Sequence, residues 1–438
     1  MKQNIEMKTG IFAYWKKDIP AGIVTGAMAI PLSVGIALMS DYPILTGLYT
    51  VIFACIVGFI FSFFRQGNFV GVPGIAAGLA PVLAMGVHLF GMENMAFAVL
   101  LTSVFQAIIW KFNLQKFILL AVPTYLVEGL LAGIGLKIAM KFIPFLFEAP
   151  KDDHLAAMDI VTHADKIFLD YPHLITIIIS VISLLTFLIL TKRFSKYSPG
   201  IPYFGLIILA VILGFVFNLK KVDIGTEVPH LHLPMVHLEN AKQGEWLMIF
   251  QIIGFALMLA VIDVIEQVMS NAAIEKLDPL KRKCDTNNSL FSIWVSNLGS
   301  SFFGGMTNLD GLAKSTTNAL AGAVTKLSNL IVAMVVAVMV IFPNLLGYIP
   351  EFAFGIIMVF SGFKMILGLK HIMHHGEYSV LLALMCGVLV YKLGIFEGLI
   401  IALVMHALIT YIIGRSKSST TREIFNKFLE KFQLEDIT

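Results

Sequence analysis

In the run Gly304-Gly305-Met306-Thr307-Asn308-Leu309-Asp310-Gly311-Leu312-Ala313-Lys314-Ser315-Thr316-Thr317-Asn318, a lysine stands inside an otherwise apolar, glycine-rich stretch. The pattern reads as a membrane helix that breaks and then restarts at a polar N-terminus. A restarting helix points unpaired backbone N–H groups and the positive end of its dipole at whatever fills the break, and Lys314 adds a full charge beside them. An anion site buried in a bilayer is the expected consequence.

Composition supports the bilayer. Of 438 residues, 58% are hydrophobic and 13% charged, against about 25% charged in soluble domains. The apolar residues come in long runs, and the reading is an all-α polytopic membrane protein of about fourteen segments. These lie near 22–40, 45–63, 74–90, 95–110, 118–140, 174–191, 203–217, 247–273, 288–303, 313–325, 327–347, 352–369, 378–391 and 394–413. Several are shorter than the ~20 residues a helix needs to cross the hydrocarbon, which implies half-helices buried in protein.

The polar segment Lys220 to Gly244 divides the chain into two sets of seven segments. The expected organisation is a tail at 1–17, a first repeat at 18–219, an external connection at 220–244, a second repeat at 245–414 and a short tail at 415–438. Each repeat has its third segment opened by Gly and Pro. In the first, the opening is Gly67-Asn68-Phe69-Val70-Gly71-Val72-Pro73-Gly74-Ile75-Ala76-Ala77-Gly78. Paired interruptions at matching positions point to an inverted repeat with its site at the bilayer midplane. The third and tenth segments become half-helices facing each other N-terminus to N-terminus. Pro73, Gly74, Ile75 and Ala76 then line the site from one side, and Ala313, Lys314 and Ser315 from the other.

Net charge is only +3, but lysine and arginine are unevenly placed. With the N-terminus inside, 22 of the 31 fall on the cytosolic side, which predicts both termini in the cytosol. The external segment 148–172 is acidic. No cleavable signal peptide is seen, and Thr420 to Glu435 reads as one amphipathic surface helix. Cys55, Cys284 and Cys386 have no metal or redox spacing. His371, His374 and His375, like His230, His232 and His237, lack the carboxylate or cysteine that would complete a metal set, so no metal is expected from them.

A lysine at membrane depth costs roughly 2.5–3.5 kcal/mol and calls for a partner or a function. Asp263, Glu266 and Ser270 stand at i, i+3 and i+7 in the eighth segment, which places two carboxylates and a hydroxyl on one helix face. Such a face can hold Na⁺, carry a proton, or pair statically with Lys314. Glu128 is a further intramembrane acid with the same candidate coupling role. Pro31 opens the first segment's hydrogen bonding, which lets Leu32, Ser33 and Ile36 face a cavity.

Four stretches resemble the sulfate-permease (SulP) family of inorganic anion transporters. They are Asp18-Ile19-Pro20-Ala21-Gly22 through Pro31 to Gly47-Leu48-Tyr49; Val70-Gly71 with Pro73-Gly74; Glu266 through Asn297 to Phe303-Gly304-Gly305; and Lys314-Ser315-Thr316-Thr317-Asn318 with Ala321-Gly322 and Thr325. The resemblance implies seven plus seven inverted repeats, a core that moves against a gate, and an anion held between the third and tenth helix N-termini. Lys314 then takes the place of the family's arginine, Ala313 that of a small neighbour, and Leu32 that of a frequent glutamine. Glu266 matches the eighth-helix acid that helps bind Na⁺ in bicarbonate carriers of this type, and Ser270 matches a hydroxyl there. Lysine for arginine loses a bidentate fork and leucine for glutamine loses a polar contact, so the substrate can differ from sulfate. The family's cytosolic STAS domain is not seen in this sequence.

The function expected is secondary active transport of sulfate or bicarbonate across the plasma membrane, coupled to Na⁺ or H⁺, by an elevator-like alternating-access movement. The partners expected are a small inorganic anion, the lipid bilayer and a second copy of the chain, with no nucleic acid. No cofactor is expected apart from Na⁺ as a candidate coupling ion. Uptake of a uracil- or xanthine-type nucleobase on a related fold is the alternative within transport, followed by an exchanger or channel. No nucleophile–base or metal-ligand set converges as an enzyme would require.

Overall fold

The computed structural model describes residues 10–75, 77–116, 118, 123–146, 171–194, 200–222, 224, 230–237, 245–372, 377–393 and 395–415. Among these the chain forms fourteen α-helices and one two-residue strand pair. The first seven helices are α1 (Trp15–Met39), α2 (Ile44–Phe61), α3 (Ala80–Phe90), α4 (Met92–Lys111), α5 (Thr124–Phe142), α6 (Tyr171–Phe194) and α7 (Ile201–Phe217). The second seven are α8 (Glu245–Leu277), α9 (Thr286–Ser301), α10 (Leu312–Leu320), α11 (Leu327–Ile341), α12 (Glu351–Leu367), α13 (Glu377–Leu393) and α14 (Ile395–Arg415). Each expected segment has its helix, and the boundaries shift for local reasons. α1 starts at Trp15 rather than near 22 and runs through Pro20 and Pro31. α3 starts at Ala80 rather than at 74, because the residues before it are taken up by a strand and a 3-10 turn.

Seven of the helical stretches are long and apolar enough to cross a bilayer. At 1.5 Å per residue, the eleven residues of α3 and nine of α10 reach only about 16 and 13 Å, about half a hydrocarbon core. Each follows a short strand: β1 (Pro73–Gly74) precedes α3 and β2 (Leu309–Asp310) precedes α10. The strands pair antiparallel, Pro73 opposite Asp310 and Gly74 opposite Leu309. All four residues are buried, as extended backbone at membrane depth must be.

Two compact units emerge, and neither follows the two sequence halves. One contains residues 1–120 and 137–363, the other 121–136 and 364–438. In the first, glycines let helices approach closely, as small residues do in membrane bundles. A side chain at Gly22 or Gly26 of α1 would meet Ile331 or Val335 of α11. In the second, Gly129 and Gly133 of α5 play the same part against Ala383, Gly387 and Val390 of α13. There Tyr125 Oη also lies 2.7 Å from His406 Nδ1 of α14.

Part of the segment 220–244 lies among the described residues. Lys220 O accepts from Glu351 N, and His237 exchanges hydrogen bonds with Asn94 at the start of α4. The N-terminal residues 1–9, most of the acidic segment 148–172, His374, His375 and the expected Thr420 to Glu435 helix lie outside the described residues.

Candidate anion site

The strand pair exists because side chains satisfy a backbone that no helix can. Asn68 Oδ1 accepts from Gly71 N at 2.9 Å, turning the chain into β1. In the second opening, Met306 N donates to Thr50 Oγ1, Asn308 N to Asn297 Oδ1 and Asp310 N to Gln267 Oε1, at 2.7–3.0 Å. Gly311 N reaches back to Val72 O at 3.2 Å, tying the two openings together. Every one of these donors would otherwise cost free energy at this depth. α10 then begins: Ser315 N donates to Gly311 O at 2.9 Å, and Ser315 Oγ accepts from Val72 N at 3.0 Å. Leu312, Ala313 and Lys314 fall in the first turn, whose N–H groups have no partner within the helix.

Lys314 is 1% exposed. Its Nζ donates to Ile75 O at 3.3 Å, just past β1. Two glycines make its slot. Any side chain at Gly74, which has φ +146°, would overlap Lys314 Nζ, and a Cβ at Gly311 would come within 2.9 Å of Lys314 Cε. Among the described residues no carboxylate lies within ion-pair distance of Lys314. The ammonium therefore neither reaches an interface nor pairs with the eighth segment. It is a buried, uncompensated charge aimed at the start of the first half-helix.

The eighth-segment acids part company despite sharing a helix face. Asp263 accepts from Gln106 Nε2 of α4 and, at 3.1 Å, from Asn297 Nδ2 of α9, which ties it into the packing of three helices. Glu266, one turn on and 9% exposed, faces Gly78 in the turn that opens α3; a side chain at Gly78 would overlap its carboxylate. Glu266 Oε1 is buried without a hydrogen-bond partner. Ser270, a further turn along, is also buried.

Leu32, Ser33 and Ile36 of α1 are buried. Ser33 Oγ has no partner, and Ser33 O and Ile75 Cδ1 both border Gly47. Thr25 Oγ1 donates to Asn318 Oδ1 at 3.4 Å and Thr317 Oγ1 to Met28 Sδ at 2.8 Å, so the middle of α1 packs against the later part of α10. Glu128 belongs to the other compact unit, where it lies against Gly368. Ala76 lies outside the described residues. Among the described residues, no three of His, Cys, Asp and Glu gather as metal ligands.

One cluster escaped the sequence reading. Asp310 Oδ2 accepts from Asn68 Nδ2 at 2.6 Å, Gln267 Nε2 at 2.8 Å and Ser289 Oγ at 3.3 Å, while Asn271 Oδ1 accepts from the same three groups at 3.0–3.2 Å. Lys326 Nζ lies 3.6 Å from Asp310 Oδ1 and donates to Gly71 O at 2.6 Å. The charge tally places Lys326 in a cytosolic turn, yet it is buried. A faint signal existed in the polar residues Asn68 and Asp310, one in each opening.

Similar proteins come from bacteria and animals. A putative sulfate transporter of Bacillus subtilis, YvdB, is 28% identical over 345 residues, 77% of this chain and 62% of that protein. The sulfate transporter of Bos taurus is 22% identical over 377 residues, 78% of this chain and 51% of that one. The chain thus spans between about half and two thirds of these relatives' length. In fold it is similar to the transmembrane domain of a cyanobacterial bicarbonate transporter, BicA, with a TM-score of 0.71, 18% identity and coverage of 90% of this chain and 98% of that one. SLC26A9 gives 0.75, 18% identity, and coverage of 93% of this chain and 67% of that chain. Its many apolar helices make it a multi-pass membrane protein, and its relatives carry the names of transporters rather than enzymes. With the sulfate permease family model matching residues 15–386, this chain belongs to the sulfate permease family.

Proposed function

We propose that this protein is a secondary transporter of a small inorganic anion, received between the starts of α3 and α10. The observation that carries this reading is Lys314: an ammonium 1% exposed, without a carboxylate partner among the described residues, set among the free N–H groups of a helix start. A mobile anion supplies the missing countercharge, and leaving restores the cost, so binding is reversible. Sulfate and bicarbonate are the candidates, both borne in the names of similar proteins. Coupling falls to Glu266, whose unpartnered oxygen beside Gly78, with the Ser270 hydroxyl a turn away, can take Na⁺ or a proton. Asp263 is the second acid of that face: its Oδ2 is held by two donors, while its Oδ1, like Glu266 Oε1, is buried without a partner.

Residence in the plasma membrane with both termini cytosolic follows the lysine and arginine asymmetry. Alternating access by an elevator-like displacement, with the two openings as inverted repeats, agrees with the antiparallel β1–β2 pair and the half-helices behind it. Purified protein in liposomes tests the reading: labelled sulfate or bicarbonate should enter, driven by a Na⁺ or H⁺ gradient. Entry of uracil with exclusion of sulfate, bicarbonate and chloride would replace it with nucleobase transport, and uptake that ignores both gradients would point to a channel or exchanger.

A further inference from the structure

We infer that Asp310, by cancelling the charge of Lys326, limits the positive charge at the crossing of the two openings to that of Lys314 and so makes the anion site discriminate against divalent anions. The inference deepens the transport reading above and rests on it. Two lysines flank the crossing of β1 and β2. Lys314 Nζ sits at Ile75 O, just after β1, and Lys326 Nζ at Gly71 O, just before it. Gly71 precedes Ile75 by four residues, so roughly 13 Å of extended chain separates the two carbonyls that the ammonium groups bind.

One carboxylate answers them. Asp310 Oδ1 lies 3.6 Å from Lys326 Nζ, and its other oxygen is fixed by Asn68, Gln267 and Ser289. Those donors come from β1's approach, α8 and α9, so Asp310 cannot swing toward Lys314. Asp310 is 3% and Lys326 6% exposed, and the cavity beside them measures about 20 Å³, room for about one water. Solvent therefore does little to screen the pair. Arg65, the remaining cation lining that cavity, is exposed and stacks on Phe291 at 4.8 Å, so water screens it. The crossing as a whole thus carries one uncompensated positive charge, that of Lys314.

Changing the pair changes that sum. Asp310→Asn frees the charge of Lys326, while Lys326→Gln leaves the charge of Asp310 unopposed. At roughly 13 Å and an effective dielectric of about 20, one unit of charge alters the binding of a divalent relative to a monovalent anion by about tenfold. Uptake and thermal-shift titration with sulfate and bicarbonate should be run on the wild type, both single variants and Asp310→Asn/Lys326→Gln. The sulfate-to-bicarbonate affinity ratio should rise about tenfold in Asp310→Asn, fall about tenfold in Lys326→Gln, and return near the wild-type value in the double variant. A brace with only a packing role would weaken both anions together and leave the ratio unmoved, which overturns the inference. Should Asp310→Asn fail to fold, the fall in Lys326→Gln and its reversal in the double variant decide the question. A wild-type protein that binds neither anion would instead overturn the transport reading, and this inference with it.

Discussion

Replacing Lys314 by methionine removes a charge while keeping most of the apolar stem that the slot between Gly74 and Gly311 holds. The ammonium is 1% exposed, has one neutral acceptor at 3.3 Å and meets no carboxylate among the described residues. An uncompensated buried charge costs several kcal/mol, of which methionine should recover about 2 kcal/mol. Without anion, the variant should therefore melt a few degrees above the wild type in detergent. The sign inverts when sulfate or bicarbonate is added. A ligand at a hundred times its Kd raises wild-type stability by about 2.7 kcal/mol. Methionine loses charge-assisted contacts of roughly 1.5–3 kcal/mol, so affinity should fall about 10- to 150-fold and the anion-induced shift should vanish over the same range. Melting curves against anion concentration for both proteins give every quantity needed. If Lys314→Met melts lower than the wild type in anion-free buffer and still gains stability from the anion, the lysine is structural and the site lies elsewhere.

Glu266→Gln should retain anion binding at saturating cation but lose the dependence of uptake on the Na⁺ or H⁺ gradient; gradient-driven uptake that survives intact would remove Glu266 from coupling. Gly74→Ala forces a Cβ onto Lys314 Nζ at a backbone angle that costs an L-residue about 1–2 kcal/mol. It should lower anion affinity about tenfold, whereas Gly254→Ala, with open space around its Cβ, should leave titrations unchanged. Asp18 is fully buried and accepts from Val324 N at 2.7 Å, Thr325 N at 2.9 Å and Thr325 Oγ1 at 2.7 Å. Asp18→Ala should therefore cost about 2–4 kcal/mol, visible in detergent melting, with anion affinity in the surviving folded fraction unchanged.

Segment positions, the two openings and a lysine at membrane depth within the second of them were legible in the sequence because each depends on local chemistry. A hydrocarbon core demands long apolar runs, Gly and Pro interrupt them, and a lysine among them is conspicuous whatever surrounds it. How the surroundings of the two acids differ was not legible. Asp263 and Glu266 share a helix face and a charge, and only the packing of α4 and α9 draws Asp263 into a hydrogen-bonded cluster while leaving Glu266 against Gly78. Asp310 and Lys326 were hidden for a related reason: one sits in the glycine-rich opening and the other in a short turn between segments, and Asp310 is held by Asn68, Gln267 and Ser289, brought together from distant parts of the chain. Local sequence determines where backbone leaves the helix, since that is a matter of residues a few positions apart. The tertiary structure alone decides which charges cancel, because a Coulomb interaction depends on distance and desolvation in space and not on separation along the chain.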